Sequence, residues 1–304
     1  MSRMHPQGLF VPLVTPFTEG GEVDLAAVER LAGEILGAGA TGIVALGTTG
    51  EPATLDDAEK RAIIDVCARV CGGADGGAPL LVGAGSNNTR GTADSLRALA
   101  RWPEISAALV PVPPFTRPSE AGVIAHFAAV AEASPVPVIV YHIPYRTGRA
   151  LAAPTLAAIA ALPGVIGVKQ ATGAVDAETV ALLAEPPPGF AVLAGDDVFA
   201  AALLGLGASG AVLASAHLHT AMFAAMVSAW REGDARTGRD LGRPLARLAA
   251  ALFAEPNPTV LKGVLHATGR IATPDVRLPL LPAGPTSVAA ARELAQGIRT
   301  TCAA

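Results

Sequence analysis

Charged and aromatic residues are scarce in this chain of 304 residues, and their scarcity excludes several classes of protein. Only 16% of the residues are charged, 4% are aromatic, and the formal net charge is −4. With no basic run in the sequence, we expect no nucleic-acid-binding surface. Apolar residues make up 51% of the chain, which predicts a large buried core and argues against disorder.

Long hydrophobic runs and cysteines are also rare. No run of about 18 uncharged apolar residues is present, so we expect no membrane span. The first residues lack the hydrophobic segment of a signal peptide, and we expect a cytoplasmic protein. Three cysteines fit reduced cytosolic thiols. Cys67 and Cys71 are interpreted as buried small hydrophobic residues on a helix, since no further ligand lies near them, while Cys302 lies in the tail.

Short apolar runs recur along the first 230 residues, and each is followed by an alanine-rich helical pattern. The runs predict strands over 8–14, 42–47, 80–85, 107–112, 136–143, 165–169, 191–195 and 210–214. The intervening patterns predict helices near 25–38, 56–71, 89–101, 119–133, 153–161, 176–184, 198–205 and 219–232, with Asp24 as the N-cap of the first.

Eight such alternations predict an α/β fold, a closed (β/α)8 TIM barrel over residues 1–233. A doubly wound open sheet is the alternative, and the count of eight disfavours it. Further helices over 236–253, 260–268 and 287–299 predict a C-terminal helical extension, 234–304, packed on the barrel.

Lysine is the scarcest basic residue, since only Lys60, Lys169 and Lys262 stand among 22 lysines and arginines. Lys169 ends the apolar stretch 164–169. A desolvated amine can lose its charge and become a nucleophile, which arginine cannot do. Schiff-base chemistry is therefore one interpretation of Lys169, and a salt-bridged or snorkelling lysine is the other.

Other polar residues collect where predicted strands end, which is where barrel enzymes place their active sites. Thr48 and Thr49 lie in a turn, 47–51, that suits a carboxylate or phosphate, although an ordinary capped loop has the same composition. Tyr141 ends the fifth strand and could transfer protons during imine chemistry, or simply pack in the core. Arg146 follows as a candidate clamp for a carboxylate, with a solvated surface position as the alternative.

Several other polar residues are better explained by structure than by chemistry. Strand alternation places His142 on the face opposite Tyr141, where we expect it to be packed or hydrogen-bonded. His217 and His219 resemble a metal pair but lack a third ligand, so we expect no metal. Asp196 and Asp197 could suggest a cation site, but we interpret them as loop and helix-cap residues near the substrate.

Five segments together resemble the dihydrodipicolinate synthase/N-acetylneuraminate lyase family, the pyruvate-dependent class I aldolases built on a barrel. They are Gly-Thr-Thr-Gly-Glu (47–51), Tyr-His-Ile-Pro-Tyr-Arg-Thr-Gly (141–148), Gly-Val-Lys-Gln-Ala-Thr-Gly (167–173), Gly-Asp-Asp (195–197) and Glu-Pro-Asn-Pro (255–258). They occur in the family's order from about residue 8 to residue 282.

The resemblance implies roles for individual residues. Lys169 would form an imine with pyruvate or a similar 2-oxo acid, and Tyr141 would donate and accept protons, with Thr48 as relay. Thr49 would hold the pyruvate carboxylate in a pocket also formed by Val212 and Gly47. No metal or organic cofactor is then required, and a homotetramer, a dimer of dimers, is implied.

Arg146 resembles the residue that, in the synthase branch, receives the carboxylate of aspartate semialdehyde, so the resemblance implies an aldehyde as the second substrate. One departure leaves alternatives open. Two adjacent tyrosines, the second completing a proton relay across a dimer interface, are replaced here by Pro114 and Phe115. Phe115 favours a related aldolase or dehydratase acting on a 2-keto-3-deoxy sugar acid, and a non-catalytic barrel that binds a keto acid is the third hypothesis. With Gly91 in place of a frequent acidic residue, the same changes predict weak or absent inhibition by lysine.

Overall fold

The computed structural model describes residues 4–73 and 77–298, and its centre is a closed barrel of eight parallel strands. Each strand pairs with the next, and the last pairs with the first, so the predicted (β/α)8 barrel is confirmed. The strands are β1 (Gly8–Pro12), β2 (Gly42–Ala45), β3 (Leu80–Gly83), β4 (Ile105–Pro111), β5 (Val138–His142), β6 (Val165–Gln170), β7 (Ala191–Ala194) and β8 (Gly210–Val212).

Most strands end before the apolar pattern does. Strand β1 stops at Pro12, yet Leu13 and Val14 are buried beneath the loops that follow. Strand β2 stops at Ala45 because Leu46 has a positive φ of 55°, which turns the chain out of the sheet. The predicted boundaries are therefore wrong by one or two residues, since burial continues past the last pairing.

Twelve helices surround and extend the described barrel. They are α1 (Leu25–Gly37), α2 (Asp57–Gly73), α3 (Thr89–Ala98), α4 (Glu120–Ala133), α5 (Pro144–Thr147), α6 (Ala153–Ala160), α7 (Ala177–Ala184), α8 (Ala200–Gly205), α9 (Thr220–Arg231), α10 (Ala235–Leu252), α11 (Thr259–Ala267) and α12 (Pro285–Gly297). Eleven match the predictions to within a few residues. The single turn α5 was not predicted. Asp24 caps α1 as expected, since its Oδ1 accepts the Ala27 N–H at 2.9 Å.

The barrel has two cores. Its interior is filled by side chains from all around the barrel, among them Phe10, Leu81, Ile139, Leu193 and Val212. A larger apolar layer lies between the strands and the outer helices, as expected for a sheet covered on both faces. Cys67 and Cys71 belong to that layer as free, buried thiols, and burial raises the pKa of Cys67 above its usual range and that of Cys71 to about 12. Cys302 lies outside the described residues.

The C-terminal helices pack on one side of the barrel. Leu248, Leu252, Val260 and Val264 form a third apolar cluster with Val14 and Ala214, which lie just beyond β1 and β8. The boundary between barrel and extension at residue 233 stays a prediction. In residues 4–73 and 77–298, no helix combines the length and apolar character needed to cross a membrane.

Candidate active site

Lys169 and Tyr141 lie side by side inside the barrel. The register of β5 and β6 pairs the two residues directly, and both side chains are buried. The Lys169 Nζ atom lies 4.2 Å from the centroid of the Tyr141 ring, a distance at which the ring's π electrons attract an ammonium group. Lys169 is the penultimate residue of β6, because Gln170 extends the strand by one position beyond the prediction.

Gly195, just after β7, makes room for the Lys169 side chain. A Cβ atom built on Gly195 would lie 2.7 Å from Lys169 Cγ and 3.0 Å from Ala171 Cβ. Real Cβ atoms do not approach other atoms so closely, so any larger residue here would displace the lysine. The glycine is therefore a steric requirement of the site.

The predicted site residues converge on one cavity at the carboxyl end of the barrel. Its lining includes Lys169 and Tyr141 together with Thr48, Thr49, Arg146 and Val212. The cavity shares Thr48, Tyr141 and Arg146 with a larger groove of about 960 Å3, which Gly47 also lines. The structure thus brings together all seven residues that the sequence singled out.

The loop that carries Thr48 and Thr49 is held in a strained backbone conformation. Leu46 and Glu51, which flank it, have positive φ angles of 55° and 53°. Such conformations cost a non-glycine residue about 1–3 kcal/mol and persist only where surrounding contacts enforce them. One such contact is a hydrogen bond of 3.0 Å from the Asn257 Nδ2 atom to Thr49 Oγ1, both groups being buried.

A buried ion pair holds the end of the same loop. Lys262 of α11 is fully buried, and its Nζ atom lies 2.9 Å from Glu51 Oε1 and 2.8 Å from the carbonyl oxygen of Thr15. Burial lowers the pKa of Lys262, while the carboxylate of Glu51 opposes that change. The backbone N–H of Arg277 donates to Glu51 Oε2 at 3.0 Å. The C-terminal extension therefore holds the Thr48–Thr49 loop in place through its contacts with Glu51.

Asp197 is the buried acid of the cavity. Its side chain lines the cavity with Lys169, and its Oδ2 atom has no hydrogen-bond partner among the described residues. Burial raises the pKa of Asp197 to about 7, and the positive charge of Lys169 only partly opposes the shift. Asp196 occupies the N-cap position of the short 3-10 helix Asp197–Phe199, as expected, but its side chain makes no capping hydrogen bond there.

The histidines make structural contacts. The backbone N–H of Leu151 donates to His142 Nε2 at 3.1 Å, and His142 Nδ1 lies 3.0 Å from Gln170 Oε1. These bonds brace β5 and β6 on the face opposite Tyr141 and Lys169, as alternation predicts. His217 accepts the Val14 N–H at 3.2 Å, and His219 instead reaches the carbonyl oxygen of Ala295. The two histidines therefore serve different elements.

Sequence reasoning did not assign Asn257, Glu51, Lys262 and Tyr145 to the site. The rarity of lysine pointed equally to Lys262, but the sequence offered no sign that its partner lies 211 residues away. Tyr145 also lines the cavity. Phe115, in the loop after β4, has a φ of 69° and is 82% exposed.

The comparisons with known proteins agree with this geometry. Residues 5–296 match the model of the dihydrodipicolinate synthetase family. The chain is 35% identical to 4-hydroxy-tetrahydrodipicolinate synthase 2 of Clostridium acetobutylicum over 92% of this chain and 96% of that protein. It is 37% identical to the 4-hydroxy-tetrahydrodipicolinate synthase of Nitratidesulfovibrio vulgaris over 96% of this chain and 98% of that protein.

Solved structures are similar over the same extent. The dihydrodipicolinate synthase of Thermotoga maritima superposes with a TM-score of 0.91 at 29% identity, covering 96% of this chain and 98% of that one. The enzyme of Acinetobacter baumannii, crystallised with pyruvate, gives a TM-score of 0.90 at 33% identity, covering 96% and 99%. The agreement in sequence, fold and extent shows that the chain belongs to the dihydrodipicolinate synthetase family and is a lyase of its class I aldolase type.

Proposed function

We propose that this protein is a 4-hydroxy-tetrahydrodipicolinate synthase, which condenses pyruvate with aspartate semialdehyde through an imine on Lys169 in lysine biosynthesis. The observation that carries the proposal is the pairing of a buried lysine with Tyr141 in one cavity that Thr49 and Arg146 also line. A buried amine beside a phenol and a carboxylate-binding loop has the groups that imine formation with a 2-oxo acid requires.

The reaction begins with pyruvate in the cavity. The Thr49 hydroxyl and the backbone N–H groups of its loop hold the pyruvate carboxylate. Lys169 Nζ attacks the ketone carbon, and the oxygen of the resulting carbinolamine leaves as water. The protonated imine then accepts the electron pair of a methyl C–H bond, Tyr141 takes the proton, and Thr48 relays it.

The second substrate meets the enamine on the groove side of the cavity. The enamine carbon attacks the aldehyde carbon, so one C–C bond forms and the aldehyde oxygen takes a proton. Arg146, an exposed residue at the rim, binds the carboxylate of the aldehyde substrate. The imine itself serves as the electron sink, so the mechanism uses neither a metal nor an organic cofactor. We further propose that the protein is cytoplasmic and forms a homotetramer. Light scattering would test the tetramer.

A coupled assay with pyruvate and aspartate semialdehyde tests the proposal. Turnover should be present in the wild-type protein and absent in Lys169→Ala. Arg243→Ala is the control, because Arg243 lies in α10 with an exposed side chain near Asp240, away from the cavity and the groove, and it should retain activity. Absence of turnover in the wild-type protein would refute the proposed substrate pair.

A second candidate has one observation in its favour. Phe115 offers no hydroxyl for the proton relay that the family resemblance implies, and its side chain is exposed. The protein would then be an aldolase or dehydratase for a 2-keto-3-deoxy sugar acid, with the same imine on Lys169. A panel of 2-oxo acids and aldehydes separates the two reactions. If borohydride fails to trap pyruvate on the protein, both candidates fall and a keto-acid-binding barrel without catalysis replaces them.

A further inference from the structure

Tyr145 and Asp196 form a hydrogen-bonded pair across the carboxyl ends of β5, β6 and β7. The Tyr145 hydroxyl donates to Asp196 Oδ1 at 3.2 Å, and the backbone N–H of Gly173 donates to Asp196 Oδ2 at 2.6 Å. A Cβ atom on Gly173 would lie 3.5 Å from Tyr145 Cδ1, so the ring packs against the loop after β6. Both side chains are thus held in place by the loop that follows the strand carrying Lys169.

The cavity that contains Lys169 therefore has two phenols in its wall. Tyr141 and Tyr145 both line it, and they are the only two tyrosines of the chain. Tyr141 presents its ring face to Lys169 Nζ. The Tyr145 hydroxyl donates a hydrogen bond to a carboxylate. Among the described contacts, none of the seven residues singled out by the sequence donates to a carboxylate.

The hydrogen bond sets the direction in which a proton can move through the pair. Because the Tyr145 proton points to Asp196, the phenolic oxygen keeps a lone pair with which it can accept a proton from the cavity side. Burial raises the pKa of Asp196, although Gly173, Tyr145, Lys169 and Arg146 each oppose the shift. A carboxylate with a raised pKa is a better proton acceptor.

Imine formation needs a group that stores one proton for a short time. An ammonium group and a ketone give a protonated imine and one water, so the number of protons does not change. However, the nitrogen must lose a proton before it attacks, and the carbinolamine hydroxyl must gain one before it leaves as water. A base that accepts the first proton and returns it as an acid performs both steps.

We propose that Tyr145 and Asp196 are this proton shuttle, an inference that rests on the imine chemistry of the proposed function. One proton passes from Lys169 Nζ to the Tyr145 oxygen while the Tyr145 proton passes to the Asp196 carboxylate. The reverse transfer delivers a proton to the departing hydroxyl, which leaves as water. The chain thereby obtains a second phenolic hydroxyl without one at Phe115.

Two conservative variants test the shuttle. Tyr145→Phe keeps the ring against Gly173 but has no hydroxyl, and Asp196→Asn keeps an acceptor oxygen that cannot store a proton. With pyruvate as the probe, borohydride quenching at timed intervals and intact-mass measurement give the rate of imine formation. Each variant should form the imine about 100-fold more slowly than wild type, with the same final extent of Lys169 labelling.

The double variant and the pH profile separate a shuttle from a structural role. Tyr145→Phe/Asp196→Asn should be no slower than the slower single variant, because the two groups act as one unit. The wild-type rate should fall at acidic pH as Asp196 becomes protonated, and both variants should lose that dependence. Thr172→Val is the matched control, since its hydroxyl lies in the same loop and donates to the Ala174 carbonyl. It should react at the wild-type rate.

The two proposals fail in different ways. If wild-type Lys169 acquires no label, the imine mechanism itself is wrong. If wild type is labelled and Tyr145→Phe and Asp196→Asn react as fast as wild type, only the shuttle is refuted. Additive effects of the two substitutions, or an unchanged pH profile in the variants, would also refute it.

Discussion

Replacing Lys262 with methionine should destabilise the barrel strongly, although the residue is not in the cavity. The Lys262 side chain is fully buried, and its ammonium group has two oxygen partners, Glu51 Oε1 at 2.9 Å and the Thr15 carbonyl at 2.8 Å. Methionine fills a similar volume but leaves the Glu51 carboxylate buried without its counter-charge. Breaking a buried ion pair in this way costs about 3–5 kcal/mol, a large part of the 5–15 kcal/mol typical of a folded domain.

The cost should be recovered in part when the partner is also neutralised. In Lys262→Met/Glu51→Gln no charge remains unpaired, and the new side-chain amide can still accept the Arg277 N–H that Glu51 Oε2 accepts at 3.0 Å. The double variant should therefore be less destabilised than the sum of the single variants by about 1–3 kcal/mol. Chemical denaturation of the four proteins measures the free energy of unfolding for this cycle.

A surface pair provides the control. Lys60 lies 3.9 Å from Asp57, whose side chain is 85% exposed, so Lys60→Met should change stability by less than about 1 kcal/mol. Because Glu51 ends the loop that carries Thr49, Lys262→Met should also raise the KM for pyruvate. A loss of less than about 1 kcal/mol in Lys262→Met, or strict additivity in the cycle, would refute the reasoning.

Three further predictions concern the cavity and the groove. The pKa of Asp197 is raised to about 7, so the folded protein binds a proton that the unfolded chain has released between about pH 4 and pH 7. The free energy of unfolding of the wild-type protein should fall by up to about 4 kcal/mol as the pH rises through that window. Asp197→Asn has no carboxyl group that titrates there, so its melting temperature minus that of wild type should increase with pH. A constant difference would contradict this. Gly195→Ala should displace Lys169 and slow imine trapping with pyruvate by at least about tenfold, while an unchanged rate would show that the backbone yields instead. Titration calorimetry should detect no tight, inhibitory lysine binding, as Phe115 and Gly91 predict.

Local patterns in the sequence predicted the barrel because burial and pairing follow the same residues. Most strand residues are apolar on both faces, and apolar residues recur every three to four positions along the helices, so the count of eight could be made before any contact was known. The strand ends were less accurate. Val14 and Ala214 remain buried beyond the last paired residue because the C-terminal helices cover them, and a sequence pattern reports burial rather than pairing.

The sequence predicted only those residues of the candidate site that lie next to the ends of strands. Lys169 and Tyr141 are marked by rarity and by position, and the register of two adjacent strands brings them together. Asn257 and Lys262 act through partners more than 200 positions away, so no local pattern indicates them. The absence of a hydrogen-bond partner for Asp197 Oδ2 among the described residues follows from its burial in the folded structure, which composition alone does not reveal.

The bonds from Asn257 to Thr49 and from Lys262 to Glu51 have a consequence for synthesis on the ribosome. All eight strands are translated before either anchor, and the two bonds join residues 208 and 211 positions apart. Until residues 257 and 262 leave the exit tunnel, nothing from α11 holds the loop that contains Thr49. The nascent chain can therefore assemble its sheet before the loop that contains Thr49 is anchored.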